Sequence, residues 1–300
     1  MTYGVIYPAR LGPEKGITLL STGGATKMRT LVPPVLFLTA VLAMHQQASS
    51  PDLAGIAHVA FRVSDVQNSR EFYHTLGFEQ AFQFADPGKP VVSYIKINDQ
   101  QFIELYGRTE DTQPTGLLHV CYEVYDIETL WSEYMKRGLN PPHSRKARAG
   151  NLLFVFPDPE EQILEYTQYL PGSLHFEVRG KYLGDRRVSQ HLVRAVIPVR
   201  DVSVEHDFYT TRLGFKDAGS GSVNRMRLPG NSGGELELED ANRPSKPGIV
   251  FTVAGLARAA DDLRSRSLSV IAGEGAVSVA DPDGTVILFI EEGKQAPGRL

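Results

Sequence analysis

A mixed α+β fold, assembled from four copies of one strand–helix–strands unit, is what residues 55 to 292 predict, and three observations predict it. The segments DVQNSREFYHTLGFE from Asp65 and DVSVEHDFYTTRLGFK from Asp201 share Asp-Val, then Phe-Tyr seven positions after the aspartate, then Leu-Gly-Phe. Weaker copies lie between and after them, in HVCYEVYDIETLWSEYMKRGL (residues 119–139) and IVFTVAGLARAADDLRSRSL (residues 249–268). Two units close with a Asp-Pro turn and a strand, DPEEQILEY from Asp158 and DPDGTVILF from Asp281. Self-similarity of this kind marks a repeated supersecondary unit.

Each unit justifies its elements in order. A strand comes first: AHVAFRV before Asp65 and VRAVIPV before Asp201 alternate apolar residues in the strand period of two. The aspartate that follows is an N-cap residue type, and Leu-Gly marks a helix end. Further strands complete each unit. The four units group as 55–170 and 188–293, and PGSLHFEVRGKYLGDRRVSQ, with Gly172, Gly180 and Gly184, is the boundary between them.

Residues 1–50 stand outside this pattern as an N-terminal extension. Lys27-Met28-Arg29 precedes the uncharged run TLVPPVLFLTAVLA (residues 30–43) with a small-residue exit at Val41-Leu42-Ala43. A basic start, a short apolar run and such an exit form a secretory signal pattern over 28–48. The run is short of the roughly 20 apolar residues that a span requires. The expectation is a periplasmic or secreted protein with no stable membrane association after signal removal, or a cytoplasmic one if the segment is not used. The 31 Lys+Arg against 35 Asp+Glu are too balanced for a nucleic-acid footprint. Cys121 is the only cysteine, which rules out an intrachain disulfide and a CxxC metal knuckle.

Polar residues inside strands carry the chemistry. In AHVAFRVSD, His58 shares a face with Ala60 and Arg62, opposite Val59, Phe61 and Val63. FIELY places Glu104 between Phe102 and Tyr106 on its face, LLHVCYEV places His119 with Cys121 and Glu123, and QILEYT carries Glu165. His58, Glu104, His119 and Glu165 occur one per strand at intervals of 46, 15 and 46 residues. The equal outer intervals are what two copies of one unit give when each contributes a pair at matched positions. Buried carboxylates are costly unless paired or metal-bound, and imidazole with carboxylate suits zinc, iron, nickel, cobalt or manganese. His74, His143, His175 and His206 lie outside the matched positions and read as solvated or structural.

HVAFRVSD…FYHTLGF, FIEL, HVCYEV and DPEEQILEY together resemble the vicinal oxygen chelate superfamily, over residues 55 to about 293. The superfamily includes glyoxalase I, methylmalonyl-CoA epimerase, extradiol dioxygenases, and fosfomycin- and bleomycin-resistance proteins. The resemblance implies four βαβββ modules paired into two glyoxalase-like domains. It also implies one divalent metal ion (zinc, nickel, cobalt or manganese) held by His58, Glu104, His119 and Glu165, the ligand positions of the glyoxalase I and epimerase branch. The implied substrate is a small molecule with adjacent oxygens, and Glu165 or Glu104 is the base that moves a proton beside a carbonyl. Arg62 matches a glyoxalase I arginine that contacts the thiol-cofactor part of its substrate. Arg108 stands where that branch has asparagine, which weighs against glutathione. Tyr106, Arg108, Cys121 and Glu123 are further candidates for substrate contact, with a core or solvated role as the plainer reading of Cys121 and Glu123. An iron(II) dioxygenase using His58, His119 and Glu165 is the alternative, although such enzymes of this length usually keep the metal in the second domain. A non-catalytic binding protein is the other.

The second half has lost the set. Arg194 stands at the place of His58, Gly248 near that of His119 and Leu288 at that of Glu165, with Glu237 or Glu235 as a remnant. This half reads as a metal-free module that shapes the cleft, covers it or mediates contact in a homodimer. Arg194 either binds an anionic group or pairs with Glu237.

Overall fold

The computed structural model describes residues 51–219, 224–242 and 247–293. The signal-like segment 28–48 lies outside them. Among the described residues no helix is long and apolar enough to cross a membrane.

Four βαβββ modules follow one another. The first is β1 (Leu53–Val63), α1 (Val66–Thr75), β2 (Glu79–Phe84), β3 (Val92–Lys96) and β4 (Phe102–Gly107). The second is β5 (Gly116–Val124), α2 (Ile127–Lys136), β6 (Arg145–Lys146), β7 (Leu152–Pro157) and β8 (Ile163–Gln168). After a short α3 (Leu174–Glu177) the pattern restarts with β9 (His191–Val199), α4 (Val202–Asp207), β10 (Lys216–Asp217), β11 (Arg225–Arg227) and β12 (Glu235–Asp240). It ends with β13 (Pro247–Val253), α5 (Leu256–Ser265), β14 (Ile271–Gly273), β15 (Ala276–Ala280) and β16 (Val286–Glu291). The strands make two eight-stranded sheets of the same order, β2-β3-β4-β1-β5-β8-β7-β6 and β10-β11-β12-β9-β13-β16-β15-β14.

The helices begin where the aspartates stand. Asp65 accepts from the Asn68 amide, Asp126 from Glu128 and Thr129, and Asp201 from Ser203 and Val204. Each satisfies amides that the first helical turn leaves unpaired. The second strong copy has one more residue between Phe-Tyr and Leu-Gly-Phe than the first. The helix absorbs it as a π turn over Phe208–Leu213, the usual answer to a single insertion.

Along the central strands one set of alternate residues (Val59, Phe61, Ile103, Leu105, Val120, Tyr122, Leu164, Tyr166) enters a core shared by both halves. Phe78 stacks on Phe251 at 5.3 Å and Tyr122 meets Phe215 at 5.6 Å across it. The other set faces a concave surface in each half, and that surface in the first half carries the candidate site.

The repeated Phe-Tyr and Asp-Pro motifs meet reciprocally at this junction. Asp283, in the last turn of the second half, accepts from the Ser64 amide at the end of β1. Glu160, in the matching turn of the first half, accepts from the Arg200 and Asp201 amides at the end of β9. Tyr209 donates to Asp158 Oδ2 at 3.3 Å. The stretch between the halves is docked rather than loose. It crosses the end of α1 so closely that a Cβ on Gly184 would lie 2.0 Å from the Gly77 carbonyl oxygen. Neither glycine tolerates a side chain at that crossing.

Glu205, from α4, is fully buried against Asp158. Burial first, then the Asp158 charge, raises its pKa from 4.5 to about 8. A carboxyl whose folded pKa is raised contributes its stability below the unfolded value and loses it as pH rises through the folded one. Stability should therefore fall between pH 4.5 and about 8. Glu205→Gln is expected to flatten that fall and to raise the melting temperature at pH 8, as measured by thermal unfolding across the range.

Candidate metal centre

The site is built on the four middle strands of the first sheet. β1 pairs with β4 in parallel, β5 with β8 in parallel, and β1 with β5 antiparallel. Glu104 faces Ala60, two residues beyond His58, and Glu165 faces Cys121, two residues beyond His119. The same offset in both parallel pairs is the structural form of the equal 46-residue intervals. The antiparallel pair then crosses the two histidines over small residues, His58 opposite Cys121 and His119 opposite Ala60.

The four side chains converge. The His58 and His119 Nε2 atoms lie 3.1 Å apart. His58 Nε2 is 3.6 Å from Glu165 Oε1, His119 Nε2 is 3.8 Å from Glu165 Oε2, and His58 Nδ1 is 3.4 Å from Glu104 Oε1. His58 and Glu104 are 2% and 3% exposed. Burial pushes the His119 pKa down to about 4 and, with the neighbouring His119 and His175, holds that of His58 well below its usual value. Both imidazoles are thus in the neutral form that binds metals. Burial holds both carboxyls above their usual range, and for Glu104 the Glu165 charge adds to it.

Two neutral imidazole nitrogens at this separation either share a proton or aim both lone pairs at a cation. Ligand atoms about 2.0–2.2 Å from one ion sit about 3.0–3.6 Å from each other; the two contacts of His58 Nε2, with His119 and Glu165, fall in that range and the His119–Glu165 contact lies just outside it. His58, Glu104 and His119 form one group able to hold an ion, and His58, Cys121 and Glu165 another. The donor set of imidazole and carboxylate therefore fits a divalent metal.

The other candidates take distinct places. Tyr106 donates to Glu104 Oε2 at 3.0 Å. Cys121 is fully buried and hydrogen-bonded to Glu165, with burial and then the Glu165 charge keeping it a protonated thiol. Arg62 is half-buried at the Tyr106 end, reaching the Pro114 carbonyl at 3.3 Å. Arg108 binds the Asp111 and Gln113 carbonyls at 2.7 and 3.5 Å and so staples its own loop. Glu123 is half-buried at the opposite end, its pKa raised by burial and lowered by Arg179. Among the remaining histidines His74 and His143 are exposed, and His206 pairs with Asp217 at 2.7 Å. His175 is different: it is buried on the concave face against Phe102 and Tyr94, where the absence of a repeat partner gave no sign of it.

In the second half, strand register puts Arg194 at the His58 position and Leu288 at that of Glu165. Glu237, facing Val196 two residues beyond Arg194, matches Glu104, and Glu235 matches Phe102. The Arg194 guanidinium reaches both glutamates at 2.8 Å, so its partners are internal. Gly248 packs against Phe61, 3.1 Å from where its Cβ would stand.

A family model described as Glyoxalase/Bleomycin resistance protein/Dioxygenase superfamily matches residues 55–166. No curated protein sequence matches the chain. Among solved structures, the Mn(II)-bound glyoxalase from Novosphingobium aromaticivorans aligns with TM-score 0.63 and 14% identity, over 81% of this chain and 83% of its own. The 2,3-dioxygenase LapB from Pseudomonas sp. KL28 aligns with TM-score 0.60 and 13% identity, over 83% and 96%. An extradiol ring-cleaving dioxygenase from B. fuscum aligns with TM-score 0.58 and 17% identity, over 81% and 73%. Each overlap exceeds either half of the chain, so these proteins share the two-sheet fold.

Arg194→Ala should destabilise the protein by about 3 kcal/mol, because it strands the partly buried Glu237 and leaves Glu235 only the longer 3.6 Å contact with Arg225. Urea unfolding measures the loss. The metal content of the folded variant should be that of the wild type, since Arg194 lies outside the first sheet.

Proposed function

We propose that this chain, which carries a domain of the glyoxalase/bleomycin resistance protein/dioxygenase superfamily over residues 55–166, is a metal-dependent enzyme of the glyoxalase/epimerase type. His58, Glu104, His119 and Glu165 would hold one divalent ion, and a small molecule with adjacent oxygens would be the substrate. The observation that carries the reading is that both other ligand candidates flank the His58–His119 pair, Glu165 at His58 Nε2 and Glu104 in one group with both imidazoles. A divalent ion bound there supplies Lewis-acid polarisation of substrate oxygens.

The chain's own residues divide the remaining work. Glu104 is the less accessible carboxylate, and the Tyr106 hydroxyl fixes its Oε2. Glu165 is more open, with 12% of its side chain exposed, and burial raises its affinity for a proton. Glu165, the more accessible carboxylate, is therefore the residue assigned to move the proton. Cys121 holds that carboxylate in place. Arg62, at the open end, is the residue placed to meet an anionic part of the substrate.

One feature supports a second reading. Glu104 approaches His58 at Nδ1, whereas Glu165 and His119 gather at Nε2. Glu104 could thus orient the imidazole from behind, as second partners of metal-binding histidines do. His58, His119 and Glu165 would then form the triad of an iron(II) dioxygenase.

Elemental analysis of wild type, His58→Ala and Glu104→Ala decides between them. The proposal expects about one ion per chain in the wild type and none in either variant. Iron lost only from His58→Ala, with Glu104→Ala weakened about 10- to 100-fold, would select the dioxygenase. No metal even after reconstitution would leave a binding protein. Glu165→Gln should lower turnover on isomerase or epimerase substrates at least about 100-fold with the fold intact, and unchanged turnover would sink the assignment.

A further inference from the structure

The repeated modules do not supply every group on the concave face of the first sheet. His175 comes from α3, between the halves. It is 2% exposed, and neither ring nitrogen has a hydrogen-bond partner. Its ring stacks on Tyr169 at 4.4 Å and meets Phe82, Tyr94 and Phe102 edge-on at 5.1, 5.5 and 5.0 Å. Phe102 faces His58 and Tyr94 faces Glu104 across the strands. The imidazole is therefore one side chain away from the candidate ligands. The Tyr169 hydroxyl beside it is also buried without a partner. Buried polar groups are nearly always hydrogen-bonded, so two that are not, at one end of a cleft, mark a place where a ligand supplies the partner.

The segment that presents His175 is firmly held. Lys96 is fully buried and donates to the carbonyls of Val178 and Lys181, and to Asp99 Oδ1 at 2.6 Å. Asp99 Oδ1 also accepts from the Gly180 amide at 2.8 Å, and Leu174 donates to the Ala149 carbonyl at 2.7 Å. Exposure falls along the concave face in one direction. Arg62, Tyr106 and Leu117 are half-buried at one end, whereas Phe102 and Cys121 are fully buried at the other, beside α3. The concave face is thus accessible at its Arg62 end and packed with side chains at the α3 end.

We infer that the segment 171–190 is the end wall of this cleft, and that His175, with Tyr169, hydrogen-bonds the far end of a compact planar substrate whose adjacent oxygens meet the four-residue cluster. The inference rests on the metal-dependent reading above. The partly exposed Phe82 ring, stacked on Tyr94, suits an aromatic or conjugated body. A polar group at its far end completes the pairing of the imidazole, and the wall limits the length of what can bind.

The test uses the zinc-loaded full chain and two probes with one chelating head. Acetohydroxamate has the head alone; 4-hydroxybenzohydroxamate adds a ring and a distal hydroxyl. The wild type should bind the longer probe at least about tenfold more tightly, a difference of one good hydrogen bond or ring contact. His175→Phe should remove about tenfold of that preference while leaving zinc content and acetohydroxamate affinity unchanged. His175→Gln, which keeps a hydrogen-bonding group, should retain most of it. In ¹⁵N-histidine-labelled wild type, the His175 ring signals should shift with the longer probe only, a readout that stands even if a variant fails to fold. Zinc bound normally, with an equal preference in wild type and His175→Phe and no His175 shift, would overturn the end-wall inference alone. No zinc in the wild type would overturn it together with the metal-dependent reading.

Discussion

The rest of the structure depends on one constraint: two carboxyls and two imidazoles are buried together where three strand pairings meet. The register of β4 on β1 and of β8 on β5 brings each glutamate to its histidine, and the antiparallel pairing of β1 and β5 brings the two pairs to one point. Such a cluster is expensive without a counter-charge. Its surroundings moderate the expense. Ala60 and Cys121 leave room opposite the imidazoles, Tyr106 supplies a donor to Glu104, and the Cys121 thiol supplies one to Glu165. A divalent ion would supply what these neighbours do not, which is positive charge.

The second half solves the same electrostatic problem covalently. Its register keeps the position of Glu104 as Glu237, adds Glu235 beside it, and sets the Arg194 guanidinium between them. A planar, permanently charged fork binds two carboxylates without any ion from solution. With Leu288 at the Glu165 position and Gly248 near that of His119, a divalent ion would find three ligands fewer there, and a fixed cation, Arg194, at the His58 position. The two sheets therefore share topology while, among the described residues, the groups able to hold a metal lie in the first, and reciprocal contacts of Glu160 and Asp283 keep the pair together.

Much of this was legible in the sequence because it is local or periodic. The caps at Asp65, Asp126 and Asp201, the repeated Phe-Tyr and Asp-Pro motifs, and the 46-residue intervals are short-range signals, and the structure gives each a place. Strand period together with the matched intervals put His58, Glu104, His119 and Glu165 at equivalent positions of two repeated units. Other features were not legible because tertiary docking creates them. His175 sits in a stretch without a repeat partner, and what buries it is Lys96, about eighty residues earlier, gripping the carbonyls that follow it. The choice between Glu235 and Glu237 as remnant needed the register, and the answer is that Arg194 takes both. Arg108 looked available for substrate because a strand-end arginine carries no sequence mark of the loop carbonyls it binds.

The segment between the halves ties these threads together mechanically. On one side it presents His175 to the aromatic end of the first concave face. On the other it is gripped by the second half, where Arg266 of that half donates to the Arg186 carbonyl at 2.7 Å and to Thr75 at 2.8 Å. Arg187 adds a bond to the Ile97 carbonyl at 2.6 Å, next to the Lys96 anchor. Backbone packed this closely, as at Gly77 and Gly184, shifts only as a unit. The second half thus bears on the candidate site without contributing a ligand to it. It holds the α1 end and the intervening segment, which carries His175, in register.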